Sequence, residues 1–295
     1  VGDDAFDTDE GYQGKGQFLF VMIGNDGNHG TEMDSKTDGN KNSLPRSHPA
    51  FYSMTIIGGG SSGRSGGLMR LREGTGGKFG NVVLAYATDY GVKNDDCGSE
   101  TRTSTLPSAA TPINDYLYFS PNNMISGAST LFNYGSGSKL CSDAGFSAIS
   151  ADPGFAGISG VSEIEYTTMS SAFSPLPSSI SAMCSALDRA PNGDSFYSSA
   201  SFKGAFATTT DNWLAGYSWL ACSGKLVGGT CAGIPTSPFA TLGNTVQSLS
   251  GTITTATTLA AGTSYLLASQ VFVPPSSTLT IQPGTTIYAL PAAAG

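Results

Sequence analysis

The chain has 295 residues, a formal net charge of −8 and charged side chains at only 12% of its positions. Its hydrophobic content of 39% is too high for a disordered chain. The lack of a basic cluster argues against a nucleic-acid-binding surface, and no apolar run approaches the roughly 20 residues that span a bilayer. Low charge with abundant Gly, Ser, Thr, Asn and Tyr favours an extracellular β-rich protein.

The chain opens on VGDDAFDTDE, in which five of ten residues are acidic. This segment has no initiator Met and neither the basic nor the apolar region of a signal peptide. We therefore expect the chain to begin inside a motif, with the preceding turn of structure supplied by another piece of chain.

Short apolar and aromatic runs bounded by Gly, Asn, Asp or Pro predict strands at QFLFVMIG (17–24), FYSMTIIG (51–58), NVVLAYAT (81–88) and DYLYFS (115–120). The segments NDGNHGTEMDS (25–35) and GGGSSGRSGG (58–67) are predicted loops. The second lacks the Lys-Ser/Thr pair and the following helix of a phosphate-binding loop. Helical spacing of Ile180, Met183, Cys184 and Leu187 predicts a helix over 178–190.

The C-terminal part of the chain holds no Lys, Arg, Asp or Glu from residue 236 onward. It predicts four or five short strands, at TITT, SYLLA, QVFVP, TLTIQ and TTIYA, with Leu279 and Ile281 pointing inward. We place a domain boundary near Ser237, which separates a core of residues 1–236 from a strand-rich tail of residues 237–295.

Strands and bends recur in the pattern of a parallel β-helix, in which successive coils stack on one another. The predicted fold is mainly β: a right-handed parallel β-helix with long loop insertions and one or two short helices. The end of such a stack exposes backbone N–H and C=O groups that invite another chain.

The five cysteines show no C-x-x-C spacing, so a zinc or redox motif is not expected. In a secreted protein we expect a disulfide between Cys222 and Cys231, a second one between two of the other three cysteines, and one thiol left over. The alternative is five buried free cysteines.

Several segments resemble a family of secreted right-handed parallel β-helix proteins of bacterial outer surfaces. They are DDAFDTDEGYQGKGQFLFVMIG, NHGTEMDS, LPRSHPAFYSMTIIG, LMRLREGTGGKFGNVVLAYAT and FKGAFATTTDNWLAGYSWL. The resemblance covers residues 1–90 and 200–220, and it is loose over 91–195. The tail GTITTATTLAAGTSYLLASQVFVPPSSTLTIQPGTTIYA is similar to the segment that starts the β-helix in that family, so the order of segments here is permuted.

The permuted order predicts head-to-tail assembly, in which the tail of one copy stacks on the first coil of the next. Such a contact is heterologous and generates a filament unless it closes into a ring. The assembly would use the apolar side chains Val271, Val273, Leu279, Ile281 and Ile287. Two alternatives stay open: the sequence is a window on a longer chain with two modules in tandem, or the tail leads into a further domain.

The acidic opening is the strongest candidate for a metal site. Carboxylates that alternate along a strand share one face, where they repel each other unless a cation such as Ca²⁺ lies between them. The predicted ligands are Asp3, Asp7, Asp9, Glu10, Asp26 and Asp34. A solvated acidic ladder without metal is the alternative, and no other cofactor is expected.

An enzyme is not the favoured reading, although paired carboxylates on a parallel β-helix could serve a polysaccharide lyase or a glycoside hydrolase. No compact group of acid, base and Lys or Arg stands out, and fold analogy alone is a poor argument. His29 and His48 lie in loop-like sequence, without the G-x-S-x-G motif of a serine hydrolase.

Three aromatic residues, Trp213, Tyr217 and Trp219, would share one face of a strand and could bind sugar rings or anchor an interface. Packing beneath a neighbouring loop explains them equally well. The function favoured by the sequence is a structural protomer of an extracellular fibre or surface appendage, with copies of itself as partners. The alternative is a monomeric surface protein that binds or degrades a polysaccharide.

Overall fold

The computed structural model describes residues 3–24, 27–36, 40–58, 67–87, 89–98, 101–106, 116–142, 145–155, 173–188, 194–216, 218–222, 224–229 and 246–289. The chain divides into two compact units, Val1–Ala232 and Gly233–Gly295. The predicted boundary near Ser237 lies outside the described residues. No helix in the described ranges is long and apolar enough to cross a membrane.

The first unit consists mainly of short strands. They are β1 (Phe6–Thr8), β2 (Lys15–Met22), β3 (Thr31–Met33), β4 (Ala50–Ile57), β5 (Gly67–Arg72), β6 (Gly77–Gly80), β7 (Val83–Ala85), β8 (Tyr90–Asp95), β9 (Leu117–Phe119), β10 (Met124–Ser126) and β11 (Thr130–Asn133). A 3-10 turn at Gly137–Lys139 and one short helix, α1 (Trp219–Cys222), complete the described elements of this unit.

These strands form two parallel sheets that the chain visits in turn. The first sheet has the order β1-β3-β5-β8-β11, and the second has the order β10-β7-β4-β6-β9 with β2 also paired to β4. All pairings between these strands are parallel. Successive coils therefore stack on one another, which confirms the predicted mainly β, parallel β-helix.

The coils differ widely in length. Asp7, Glu32, Arg70, Lys93 and Asn133 are successive register partners across the first sheet. From one partner to the next, the chain runs 25, 38, 23 and 40 residues. The extra residues lie between the strands, because a strand that must pair in register cannot take them up.

A bend in the second sheet recurs at the same level in three coils. Phe18, Ser53 and Asn81 have φ values of 56°, 53° and 54°. The register places Phe18 beside Ser53 and Ser53 beside Asn81. Left-handed backbone at a non-glycine residue is uncommon, and here it turns the chain sharply at one edge of the coil. In the third coil the bend separates β6 from β7.

The interior of the coil is filled by apolar side chains from both sheets, because alternate residues of each strand point inward. The fully buried ones include Met33, Phe51, Met54, Ile56, Met69, Leu71, Phe79, Leu84, Val92 and Ile125. Burial of this apolar surface is the main stabilising term for the coil.

A second hydrophobic layer covers the outer face of the second sheet. Ile57, Val83 and Met124 point outward from the sheet into this layer. The segments after the last strand pack against them through Phe155, Phe173, Met183, Phe206, Leu214 and Leu226. Strand β4 of the second sheet is therefore buried on both faces along nearly its whole length, as expected for a central parallel strand.

Two predictions for the first unit are wrong. The 178–190 segment contains no helix among its described residues; it makes a single helical turn, in which Cys184 N–H donates to Ile180 O over 2.9 Å. Met183 packs into the outer layer, whereas Cys184 is exposed. The segment 25–35 is not all loop, because Thr31–Met33 forms β3 between β1 and β5.

The second unit contains five described strands: β12 (Gln247–Thr252), β13 (Thr257–Leu259), β14 (Ser264–Phe272), β15 (Leu279–Ile281) and β16 (Thr286–Ala289). They form two parallel sheets, β12-β14-β16 and β13-β15. The strand predicted at TITT is wrong, because the strand lies earlier and ends at Thr252. The predicted SYLLA and QVFVP strands are one continuous strand, β14.

Ile281 is the register partner of the buried Leu259 and so shares its face of the sheet, as predicted, but 53% of its surface is exposed. Phe272, Val273 and Ile287 of the same unit are exposed as well. Alternation along a strand decides which face a side chain shares, but a core on that face requires a packing partner. Among the described residues of this unit, Tyr265 and Leu259 are deeply buried.

Candidate functional site

A charged face covers the outer side of the first sheet. It consists of Asp7, Glu32, Asp34, Arg70, Arg72, Lys93 and Asp95, on or directly after strands β1, β3, β5 and β8. Their inward neighbours, such as Met33 and Leu71, belong to the coil interior. The arginines lie on the third coil, and carboxylates lie on the coils at either side of it, so stacking brings opposite charges side by side.

The arginines of the third coil bind carboxylates on both sides. Arg70 donates from Nη1 to Glu32 over 2.9 Å and from Nε to Asp95 over 3.2 Å. Arg72 lies 2.8 Å from Glu32 Oε2 and 2.6 Å from Asp34 Oδ2. Charge-assisted pairs of this kind are stronger than neutral hydrogen bonds. The charged face is therefore a cross-linked network that ties the coils together.

Burial and these contacts shift several pKa values on the charged face. Burial raises the pKa of Asp34 to about 6, although the hydrogen bond and charge of Arg72 oppose the rise. The Asp34 hydrogen bond in turn raises the pKa of Arg72. Burial would also raise the pKa of Asp95, but the hydrogen bonds and charges of Arg70 and Lys93 hold it below its usual value.

The predicted calcium ligands lie in different surroundings. Asp3, Asp7, Asp9 and Glu10 are exposed at the first coil. Burial and the carboxylates of Asp4 and Asp9 raise the pKa of Asp7, as expected for acidic groups that crowd one another. Asp34 is held by Arg72, Glu10 pairs with Lys36 over 3.1 Å, and Asp26 lies outside the described residues. Calcium binding stays a prediction.

A different set of metal-type ligands comes together at the same edge: Asp4, His29 and Glu32. Asp4 Oδ1 accepts the His29 backbone N–H over 2.7 Å and lies 3.1 Å from His29 Nδ1. Glu32 is engaged by both arginines. The carboxylates of this cluster thus have protein partners, and the sequence signal for it was hidden because Asp4 and His29 lie 25 residues apart.

An aromatic cleft opens on the outer layer of the first unit, away from the charged face. It has a volume of about 450 Å³, and its described lining residues are Phe18, Phe202, Ala205, Ala207, Asp211 and Trp213. The bend at Phe18 directs that ring out of the second sheet, where it stacks on Phe202 with centroids 5.7 Å apart. The cleft therefore depends on the left-handed bend of the first coil.

Trp213 forms one wall of the aromatic cleft. Its ring stacks on the buried Phe206 at 5.6 Å and 22°, and its Nε1 donates to Ala205 O over 2.8 Å. Even so, 44% of Trp213 is exposed. The ring is thus fixed from one side and open on the other, which is the arrangement of an aromatic platform.

The prediction that Trp213, Tyr217 and Trp219 share a face of a strand is wrong. Asn212 starts a turn, because its side chain accepts the Leu214 N–H and its carbonyl accepts the Ala215 N–H. Trp219 begins helix α1. Tyr217 and the side chain of Trp219 lie outside the described residues. Only Trp213 of the three is placed in the cleft, and Phe18 and Phe202 join it from distant parts of the sequence.

A disulfide joins Cys97 and Cys141, whose Cα atoms are 5.5 Å apart. It links the segment after β8 to the segment after β11, and these two strands are neighbours in the first sheet. The predicted partner of Cys222, Cys231, lies outside the described residues, so that pairing stays a prediction. Cys184 is a free, exposed thiol. The linear sequence held no signal for Cys97 with Cys141, because the pairing depends on coil stacking.

Comparison with known proteins gives one match. No curated protein and no solved structure matches this chain. The matched family range ends before the 200–220 segment and the tail, so the permuted order of segments stays a prediction. Residues 1–145, which contain β1 to β11 and the charged face, match the family model described as the pectate-lyase like beta helix domain.

Proposed function

We propose that this chain is an extracellular β-helix protein that binds carbohydrate in the aromatic cleft. The observation that carries the proposal is Trp213, a half-exposed indole held rigidly against Phe206 beside the stacked rings of Phe18 and Phe202. A sugar ring presents an apolar face of C–H groups, which packs on an aromatic ring at little entropic cost when that ring is already fixed.

The surroundings of the cleft support this role. Gln17 and Ser198 exchange two hydrogen bonds of 2.8 Å, which fasten the 194–216 segment to strand β2. A binding site largely formed before the ligand arrives loses less free energy on binding. The match to a pectate-lyase like domain fits a polysaccharide-related protein, and the Cys97–Cys141 disulfide fits an oxidising compartment.

Calorimetry with a panel of hexasaccharides tests the proposal. The wild-type chain should bind at least one of them, and Trp213→Ala should weaken binding about tenfold or more, as expected for loss of a stacking platform. Phe196→Ala removes another exposed aromatic of the same unit, outside the cleft, and should leave affinity unchanged.

Trp213→Phe keeps a ring on Phe206 and guards against a folding defect; it should lose less affinity than Trp213→Ala. If neither Trp213 substitution changes the affinity, the carbohydrate does not bind in the aromatic cleft and the proposal is refuted for this site. The same samples are assayed for shortened or unsaturated products. Their appearance would assign an enzyme, and the charged face would then be the first place to substitute.

A second candidate function is self-assembly, and the second unit carries it. This unit has no charged side chain, yet Phe272, Val273, Ile281 and Ile287 are exposed. Apolar side chains without charges to keep copies apart favour association. We propose that this unit docks on another copy, with the sheet edge at β12 or β16 available for strand addition.

Light scattering and negative-stain electron microscopy test assembly in the full chain. The wild-type protein should form filaments or oligomers, and Ile281→Lys should shift it toward monomer. Leu140→Lys places the same charge at an exposed apolar position of the first unit and should not. A wild-type chain that stays monomeric at every concentration would rule out assembly and leave carbohydrate binding as the function.

A further inference from the structure

The aromatic cleft has a charge of one sign only. Among the described residues that line it, Asp211 is the single ionisable one. Asp211 is exposed, and its backbone N–H is fixed by the Thr208 hydroxyl over 2.7 Å. No described residue offers its carboxylate a hydrogen bond or a positive charge. Asp211 thus lines the cleft together with Trp213, and its carboxylate has no partner among the described residues.

The cationic side chains next to the lining residues in sequence are directed elsewhere. Lys203 follows Phe202, but it is fully buried and its Nζ donates to the carbonyls of Ser185 and Ala186. Lys15, three residues before Phe18, is paired with Asp194 over 2.6 Å. Neither lysine lines the cleft, so neither neutralises Asp211.

We infer that the cleft selects sugars that carry a free amino group, such as glucosamine units of a polysaccharide. The inference rests on the proposed function. A pyranose ring stacks on Trp213, and the ammonium group on the same ring pairs with Asp211. Aromatic faces also attract a cation through the negative potential of the ring. Three rings and one carboxylate together form a site for an apolar ring with a positive charge.

The same arrangement disfavours acidic sugars. A uronate would bring a second carboxylate beside Asp211, and no described lining residue supplies a positive charge to offset the repulsion. The aromatic cleft and the charged face thus differ in chemistry, because only the charged face carries arginines.

Calorimetry with four hexamers tests the selectivity: β-1,4-linked glucosamine, its fully N-acetylated form, neutral cellohexaose and hexagalacturonate. A peptide of six lysines is the control for charge alone. The glucosamine hexamer should bind most tightly, with an affinity about three- to tenfold higher than that of cellohexaose, as expected for one exposed charge pair with a cation–π contribution. Hexagalacturonate should bind most weakly.

Asp211→Asn should lower the affinity for the glucosamine hexamer to that for cellohexaose, and it should leave the cellohexaose affinity unchanged. Asp211→Lys should reverse the order and favour hexagalacturonate. Trp213→Ala should weaken all four sugars, because each uses the platform.

Three results would overturn the inference. The first is equal affinity for the glucosamine hexamer and the neutral hexamer. The second is a higher affinity for the glucosamine hexamer that persists in Asp211→Asn. The third is an affinity for the lysine peptide as high as that for the glucosamine hexamer. Equal binding of the sugars with sensitivity to Trp213→Ala would leave the proposed function intact. If no sugar binds, both the proposed carbohydrate binding and the inferred selectivity for amino sugars are refuted.

Discussion

His48 makes the first unit sensitive to acid, and His48→Gln should reduce that sensitivity. His48 is buried, with its ring edge-on to Tyr116 at 4.4 Å. Its Nε2 finds no hydrogen-bond partner in the described part of the chain. Burial, aided by the charge of Lys78, lowers the pKa of His48 from 6.5 to about 4.

The direction of this pH effect follows from the linkage between proton binding and folding. A histidine whose pKa is lower in the folded state than in the unfolded chain stays neutral when folded but takes up a proton when unfolded. Its contribution to stability is complete above pH 6.5 and is lost as the pH falls from 6.5 towards 4. The difference between these pKa values corresponds to about 3 kcal/mol, as an order of magnitude.

Urea unfolding followed by tryptophan fluorescence measures this loss. The two tryptophans, Trp213 and Trp219, both belong to the first unit, so the signal reports on that unit alone. Between pH 7 and pH 4.5 the wild type should lose about 2–3 kcal/mol more than His48→Gln. Carboxylates titrate in both proteins, and their contribution cancels in the difference.

Tyr116→Phe is the matched control, because it keeps the ring contact with His48 and should keep the wild-type pH slope. Histidine resonances followed by NMR give an independent reading: His48 should remain neutral down to about pH 4 in the folded protein. Parallel stability curves for wild type and His48→Gln over this range would refute the reasoning.

Two further perturbations test the packing of the first unit by the same urea assay. The double change Cys97→Ser, Cys141→Ser opens a loop with a sequence separation of 44 residues and should lower the free energy of unfolding by about 4 kcal/mol according to the chain-entropy relation. Equal free energies of unfolding for the oxidised and the reduced wild-type protein would contradict this. Gly204→Ala should cost about 2–4 kcal/mol, because φ is +76° and a new Cβ would lie 2.5 Å from Thr55 Oγ1. Gly228→Ala, with φ of +68° and open space around it, should cost only about 1 kcal/mol; similar losses for the two glycines would contradict the packing argument.

The strands of the coil could be predicted because their signal is local. The apolar runs at 17–24 and 51–58 correspond to β2 and β4. Strand β4 is buried along nearly its whole length, as expected for a central parallel strand, and β2 is half-buried over most of its length. In such segments, residues close in sequence determine the structure.

The candidate sites could be predicted only in part. Trp213 was found from its aromatic character, but its partners Phe18 and Phe202 come from other coils and segments. Asp34 was predicted as a metal ligand, whereas coil stacking pairs it with Arg72, 38 residues away. A carboxylate on a strand has the same local sequence pattern whether its neighbour across the sheet is a metal ion, a water molecule or an arginine side chain.

Composition and alternation suffice to predict a charge-poor, mainly β chain, a parallel coil and an uncharged C-terminal segment. The Cys97–Cys141 disulfide, the charged face and the aromatic cleft become visible only when the coils are stacked. The physical reason is coil length: successive register partners lie 25, 38, 23 and 40 residues apart, so no fixed period in the sequence indicates which residues will stack.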